Sequence, residues 1–189
     1  MNSPRIDEFI TAAIEFRSLA ERQEPLKESE LWEIRGILLR LVFHIPAVDG
    51  ASHSTAFDSV RADDVTYQKV VRRFSDFPFN FYRVVFDPHD FEATDEPVMG
   101  LLSDDLSDIY RDLIEGLSNY ENGHLEEACF DWSFGYRSHW ARHAVNAIAA
   151  IEIYRTDNYK NVESGRDGRI APATPPTPPG MRLRTGRFQ

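Results

Sequence analysis

His139 and His143 stand four residues apart in the run His-Trp-Ala-Arg-His, a spacing that turns both imidazoles the same way on a helix. Two imidazoles so placed can serve as a pair of metal ligands, but a site needs at least one more ligand and groups to orient them. The run lacks the glutamate of the metalloprotease helix pattern, so the remaining ligands must come from elsewhere. The nearest supply is the acidic run around Asp104, Asp105, Asp108 and Asp112. Arg137 and Arg142 flank the histidines and, at close range, oppose a cation. The plainer alternative is a neutral histidine hydrogen-bonded to a carboxylate or a backbone carbonyl.

Other catalytic signatures are missing. The chain has no glycine-rich phosphate loop, no Gly-x-Ser-x-Gly elbow and no Cys-x-x-Cys pair. Its one cysteine, Cys129, follows Glu126 and Glu127, an environment that raises a thiol pKa. Glu30 and Glu33 have the spacing of helical magnesium sites, but no matching acidic pair lies near the middle of the last long helix.

The elements that must position these residues are helices. Residues 104–119 carry a stripe of Leu106, Ile109, Tyr110, Leu113, Ile114 and Leu117, with Ser103 as the expected N-cap and two aspartates opening the first turn. Gly123 closes a short connection, after which residues 125–154 form a long fifth helix returning antiparallel. Its stripe runs Leu125, Cys129, Trp132, Tyr136, Trp140, Ala144, Ala147, Ile148 and Ile151. On a helical wheel at about 100° per residue, His143 falls inside this stripe and His139 at its border. Asp105 and Asp112 flank the stripe of the fourth helix, whereas Asp104 and Asp108 point more nearly away. An Asp105/Asp112 pair facing His139 across the groove is therefore geometrically open.

Three helices precede this pair. Residues 4–22 follow a Ser-Pro start, residues 27–44 end before Pro46, and residues 63–73 open on an Asp-Asp pair. Residues 49–59 read as a loop. The cluster Phe74, Phe77, Phe79, Phe81, Tyr82, Phe86 and Phe91 is broken by Pro78 and Pro88, which exclude one helix. It reads as an irregular or short helical connection whose rings plug one end of the helices; a strand over 81–86 is the alternative. Beyond residue 155 the chain turns proline-rich and then basic, and is expected to be disordered. The fold expected is all-α: a single-domain bundle of about five helices over 1–155, with a tail over 156–189.

Charge narrows the partners. Residues 1–155 hold 15 Lys and Arg against 28 Asp and Glu, within a chain whose net charge is −10. Such a body repels nucleic-acid phosphates and anionic membranes and suits a basic partner or a cation. One cysteine, no long apolar run and no signal-like N-terminus indicate a cytoplasmic protein.

The runs FDP (86–88), EPV (96–98), LSDDLSDIYRDL (102–113) and HWARHAVNAI (139–148) resemble those of the bacterial DUF5063 family, small proteins of unknown function. The resemblance spans roughly residues 5–154 and implies a helical domain without implying an activity. Its matching positions are Asp104, Asp105, Asp108, Arg111, Asp112, His139, Trp140 and His143. Function is therefore expected in a groove between helices 104–119 and 125–154, made by Asp105, Asp108, Arg111, Asp112, His139, Trp140 and His143. The leading expectation is a non-enzymatic, acidic binding protein with a protein partner and no cofactor. The alternative is a metal-dependent hydrolase using His139, His143 and carboxylates of the fourth helix.

Overall fold

Helix α4 (Leu102–Glu121) is the element on which most of the others pack, because apolar or small side chains surround its N-terminal half rather than lining one face. From Leu102 to Tyr110 every residue except Asp104 is buried. The computed structural model describes residues 3–51, 62–85, 87–92 and 97–163. Around α4 stand α1 (Pro4–Ala20), α3 (Asp64–Phe74), α5 (Leu125–Gly135) and α6 (Ala141–Glu163), while α2 (Glu28–His44) packs on α1 and α6. Their buried side chains form one continuous apolar core, including Phe9 and Phe16 of α1, Leu31, Leu38 and Leu41 of α2, and Trp132 and Trp140.

The helix ends follow local chemistry. Ser3 accepts from the Arg5 amide at the start of α1, and Pro4 occupies its first position. Asp63 caps α3 through the Thr66 amide at 3.0 Å. The expected cap of α4 is corrected. Ser103 lies inside the helix, and Asn80 covers the helix start instead, with its backbone oxygen on the Leu102 amide and its Oδ1 on the Ser103 amide, both at 2.8 Å. Gly123, at φ 85°, takes the left-handed conformation that ends α4, while the His124 amide returns to the Asn119 carbonyl at 2.9 Å.

The chain is mostly helical, but the all-α expectation needs one correction. In the aromatic connection, β1 (Phe81–Val84) pairs antiparallel with β2 (Val98–Leu101), Phe81 opposite Leu101 and Val84 opposite Val98. The strand alternative is thus the one that forms, shorter than 81–86. Phe74 and Phe77 are core residues stacked at 6.0 Å, Phe79 stacks on Tyr154 at 4.6 Å, and Phe91 is exposed. Phe86, most of the 49–59 loop and the tail beyond 163 lie outside the described residues. The last helix continues past the expected end at 154, since α6 runs to Glu163.

Between α5 and α6 the helical run is unbroken but changes pitch in a π turn (Tyr136–Trp140). In an unbroken α-helix, residues eight apart diverge by about 80°. A π turn advances by roughly 80° per residue and brings Trp132 and Trp140 to within about 20° of each other. Both indoles then reach the core, and both are fully buried.

Candidate functional site

The groove between α4 and the α5–α6 run is held by antiparallel pairs. Asn119 Nδ2 donates to Asp131 at 2.7 Å, His139 meets Asp112, and His143 meets Asp105. Close approach comes from Gly116, whose bare Cα receives the ring of Trp132, while the Trp132 indole donates to the Leu113 carbonyl at 3.1 Å.

Each histidine is anchored through the same nitrogen. His139 Nδ1 lies 2.7 Å from Asp112 Oδ2, and His143 Nδ1 lies 2.7 Å from Asp105 Oδ1. An ionised carboxylate only accepts, so each Nδ1 carries the proton, and a neutral ring then leaves the Nε2 lone pair free. Both Nε2 atoms turn toward Asp108, at 4.0 and 3.8 Å from its Oδ2. The other oxygen of Asp108 accepts from Arg111 at 2.6 Å and from the Tyr67 hydroxyl at 3.2 Å. One ligand atom from each of Asp108, His139 and His143 lies within 4.8 Å of the others.

Electrostatics follows from this packing. The hydrogen bond that His143 donates to Asp105 raises the pKa of His143 against the opposing effect of burial, and the charges of Asp105, Asp108 and Asp104 add to the rise. Burial raises Asp112, with His139 pulling the other way. Asp104 is exposed as a residue, yet partial burial of its carboxyl and the neighbouring Asp108 and Asp105 raise its pKa. Tyr82, reaching from β1 to hydrogen-bond Asp105, is pushed up by burial and by that carboxylate.

Several expected positions are rearranged. Asp108, which the helical wheel turns away, is buried at the centre of the groove. Asp105 meets His143 rather than His139. Trp140 points into the core and not into the groove. Arg137 pairs with Asp49, so its charge is directed away from the histidines. Glu30 is buried against Arg73 at 2.7 Å and Arg22 at 3.0 Å, which accounts for it without a metal. Cys129 is buried, and burial together with Glu126 pushes its thiol up. Sequence reasoning missed Tyr67 and Tyr82. The available signal was the polar tip of a tyrosine, which needs a partner when its ring is covered.

What the arrangement can do is ligate a divalent ion. Metal–ligand distances of about 2.1 Å at a tetrahedral angle put ligand atoms about 3.4 Å apart. The Nε2–Oδ2 separations of 3.8 and 4.0 Å need a contraction of about half an ångström, and the widest separation of the set, within 4.8 Å, one of up to about 1.4 Å. The groove is also open on one side, with the His139 side chain 39% exposed.

The family described as "Domain of unknown function (DUF5063)" matches residues 2–157. Among solved structures, a crystal structure of protein BF1032 from Bacteroides fragilis is similar in fold, with a TM-score of 0.64 at 18% identity. The match covers 79% of this chain and 91% of that one. No curated protein matches. No helix among the described residues is long and apolar enough to cross a membrane.

Proposed function

The chain belongs to the DUF5063 family, a domain of unknown function, and we propose that it is a binding protein whose working site is a divalent transition-metal centre in the α4/α5–α6 groove. In this reading the helices act as one bundle in the cytoplasm, and the ligands are His139 Nε2, His143 Nε2 and Asp108 Oδ2. The observation that carries it is the anchoring of both imidazoles through Nδ1 by Asp112 and Asp105, which leaves three donor atoms converging on one point. Ligating histidines are held in this way by carboxylates, which fix the tautomer and raise ligand basicity. Two imidazoles with one carboxylate favour zinc, iron, cobalt or manganese over magnesium or calcium.

A second reading, a metal-dependent hydrolase, is favoured by the open side of the groove. Three protein ligands and an open position are the pattern in which a metal keeps a reactive water, whose pKa falls to about 7. Arg111 and Tyr67 hold Asp108 in place in either reading.

The test is elemental analysis of protein purified without a histidine tag, with thermal melts on adding zinc, manganese or iron. One metal per chain is expected. At a hundredfold excess over Kd, binding adds about 2.7 kcal/mol, a rise of about 5–10 °C in Tm for a chain of this size. His139→Ala and His143→Ala should each abolish the rise. Substoichiometric metal with no thermal shift for any of the three ions defeats the reading.

A further inference from the structure

Away from the histidines, β1 and α6 enclose an apolar groove of about 470 Å³. The stacked rings of Phe79 and Tyr154 and the ring of Tyr82 line it, with Val85 and Ile153 still 59% and 62% exposed along it. On α6 its lining runs from Asn146 to Asp157, about 17 Å at the helical rise. Grooves walled by aromatic rings are the surfaces that take polyproline II segments. Such a segment makes no internal hydrogen bonds, so its carbonyls need outside donors, and the Asn146 amide is one.

The chain itself carries a segment of this kind. Residues 172–180, outside the described residues, read Pro-Ala-Thr-Pro-Pro-Thr-Pro-Pro-Gly. Polyproline II repeats every three residues, so this spacing puts Pro172, Pro175 and Pro178 in one row and Ala173, Pro176 and Pro179 in the next. Thr174, Thr177 and Gly180 make the third row. Two apolar rows and one polar row can bury one side and leave the other wet.

Length and charge fit this segment to its own domain. Helix α6 ends at Glu163, six residues past Asp157, a rise of about 9 Å. Residues 164–171 include Gly165 and Gly168 and reach up to about 26 Å, enough to reverse and return to the level of Asp157. From there residues 172–179, at about 3.1 Å each, cover about 25 Å, more than the length of the groove. Arg182, Arg184 and Arg187 then fall at its far end, where Tyr82 bonds Asp105 and Asp104 is exposed. Residues 164–189 hold five arginines against one aspartate, opposite in sign to the acidic body.

We propose that residues 172–179 fold back as a polyproline II strap in the groove between β1 and α6 of their own chain. The strap does not depend on the metal centre proposed above. Over so short a tether the effective concentration is on the order of 1 mM, so an intrinsic Kd of about 0.1 mM docks the strap about nine-tenths of the time. While docked, it keeps proline-rich segments of other chains out of the groove.

A nitroxide on Thr177→Cys, in the polar row of the full chain, tests this by paramagnetic relaxation of backbone amides. Cys129 is buried with a raised thiol pKa and should stay unlabelled, which the wild type checks. The spin-labelled chain is isotope-labelled and diluted into an excess of chain carrying neither label. Amides of residues 82–85 and 146–157 should relax strongly and the rest weakly. About tenfold in docking should be lost with each apolar contact. Ile153→Glu should therefore halve the docked fraction roughly, and the double substitution Pro175→Asp, Pro178→Asp should cut it to about a tenth, with melting unchanged in both. Relaxation spread evenly over the surface, or surviving both sets of substitutions, overturns the strap. Relaxation that disappears on dilution overturns it in favour of the tail of a second copy.

Discussion

Asp105→Asn is the substitution that bears most directly on the metal centre, because Asp105 touches no metal in the proposed site and acts only through His143. Its Oδ1 lies 2.7 Å from His143 Nδ1, and its Oδ2 accepts from the Tyr82 hydroxyl. Asparagine keeps the shape and one acceptor but removes the charge, and its amide can impose the opposite tautomer on the ring. Across the imidazole the carboxylate sits about 7 Å from the ion, counting the hydrogen bond, the ring and a metal bond of about 2.1 Å. A dication and a unit charge at that distance attract by about 1.2 kcal/mol in water and by about 4.7 kcal/mol at an effective dielectric of 20. His143 is partly exposed, so the loss should fall between these limits, a weakening of about 10–100-fold in zinc affinity. The pH dependence has a definite sign. Asp105 raises the pKa of His143 above its ordinary 6.5, so the wild-type site must displace a proton at low pH, which the variant does less. The wild-type advantage should therefore be larger at about pH 8.5 than at about pH 6.5. Competition against a chromophoric zinc chelator at both pH values measures it, with a urea melt to check folding. A loss under twofold at the higher pH, or one that grows as pH falls, refutes the reasoning.

Two further substitutions test how the groove is built. At Gly116 a Cβ would stand 2.5 Å from the Cδ1 and Cε2 atoms of the Trp132 ring, displacing a fully buried indole from its bond to Leu113. Overpacking of about 1–3 kcal/mol and a stranded buried N–H of about 1–3 kcal/mol outweigh about 1 kcal/mol of helix propensity. Gly116→Ala should thus lose about 2–4 kcal/mol in urea unfolding, whereas Gly36→Ala, with open space at its Cβ, should gain up to about 1 kcal/mol. Asp63, whose pKa is lowered from 3.8 first by the Thr66 amide and then by the Thr66 hydroxyl, contributes stability that is full above that value and is lost as pH falls through its lowered one. The deficit of Asp63→Ala against wild type should accordingly stay constant from about pH 5 upward and shrink below about pH 3 in acid melts.

How far the sequence could be read follows from which interactions are local. Helix starts at Ser3 and Asp63 were legible because each cap lies within three residues of the amide it satisfies. The start of α4 was not, because its amides are met by Asn80, more than twenty residues upstream and on the far side of the hairpin. The partner strand Val98–Leu101 is too short to show a period, and it forms only because Phe81–Val84 lies beside it. Nothing in the residues 136–140 marks a π turn, yet that turn sets where Trp140 and the histidines point.

Asp108 stands among the expected groove residues, yet the helical wheel turns it away, and that misplacement is the most instructive, since it comes from a sound rule applied outside its range. Dividing a helix into a core stripe and a solvated remainder presumes one wet face. Helix α4 has almost none in its first half, where α3 supplies Tyr67 to Asp108 from one side and the α5–α6 run supplies the histidines from the other. In that half of the helix only Asp104 is left exposed. Asp105 and Asp108 must be paired, and they are, with two histidines, two tyrosines and Arg111. A buried polar network of this kind is seldom the most stable filling for a core, where apolar residues of the same volume do as well or better. Packing explains the stripe of α4 but not the burial of Asp105 and Asp108, and the metal centre proposed above is a use that would account for it.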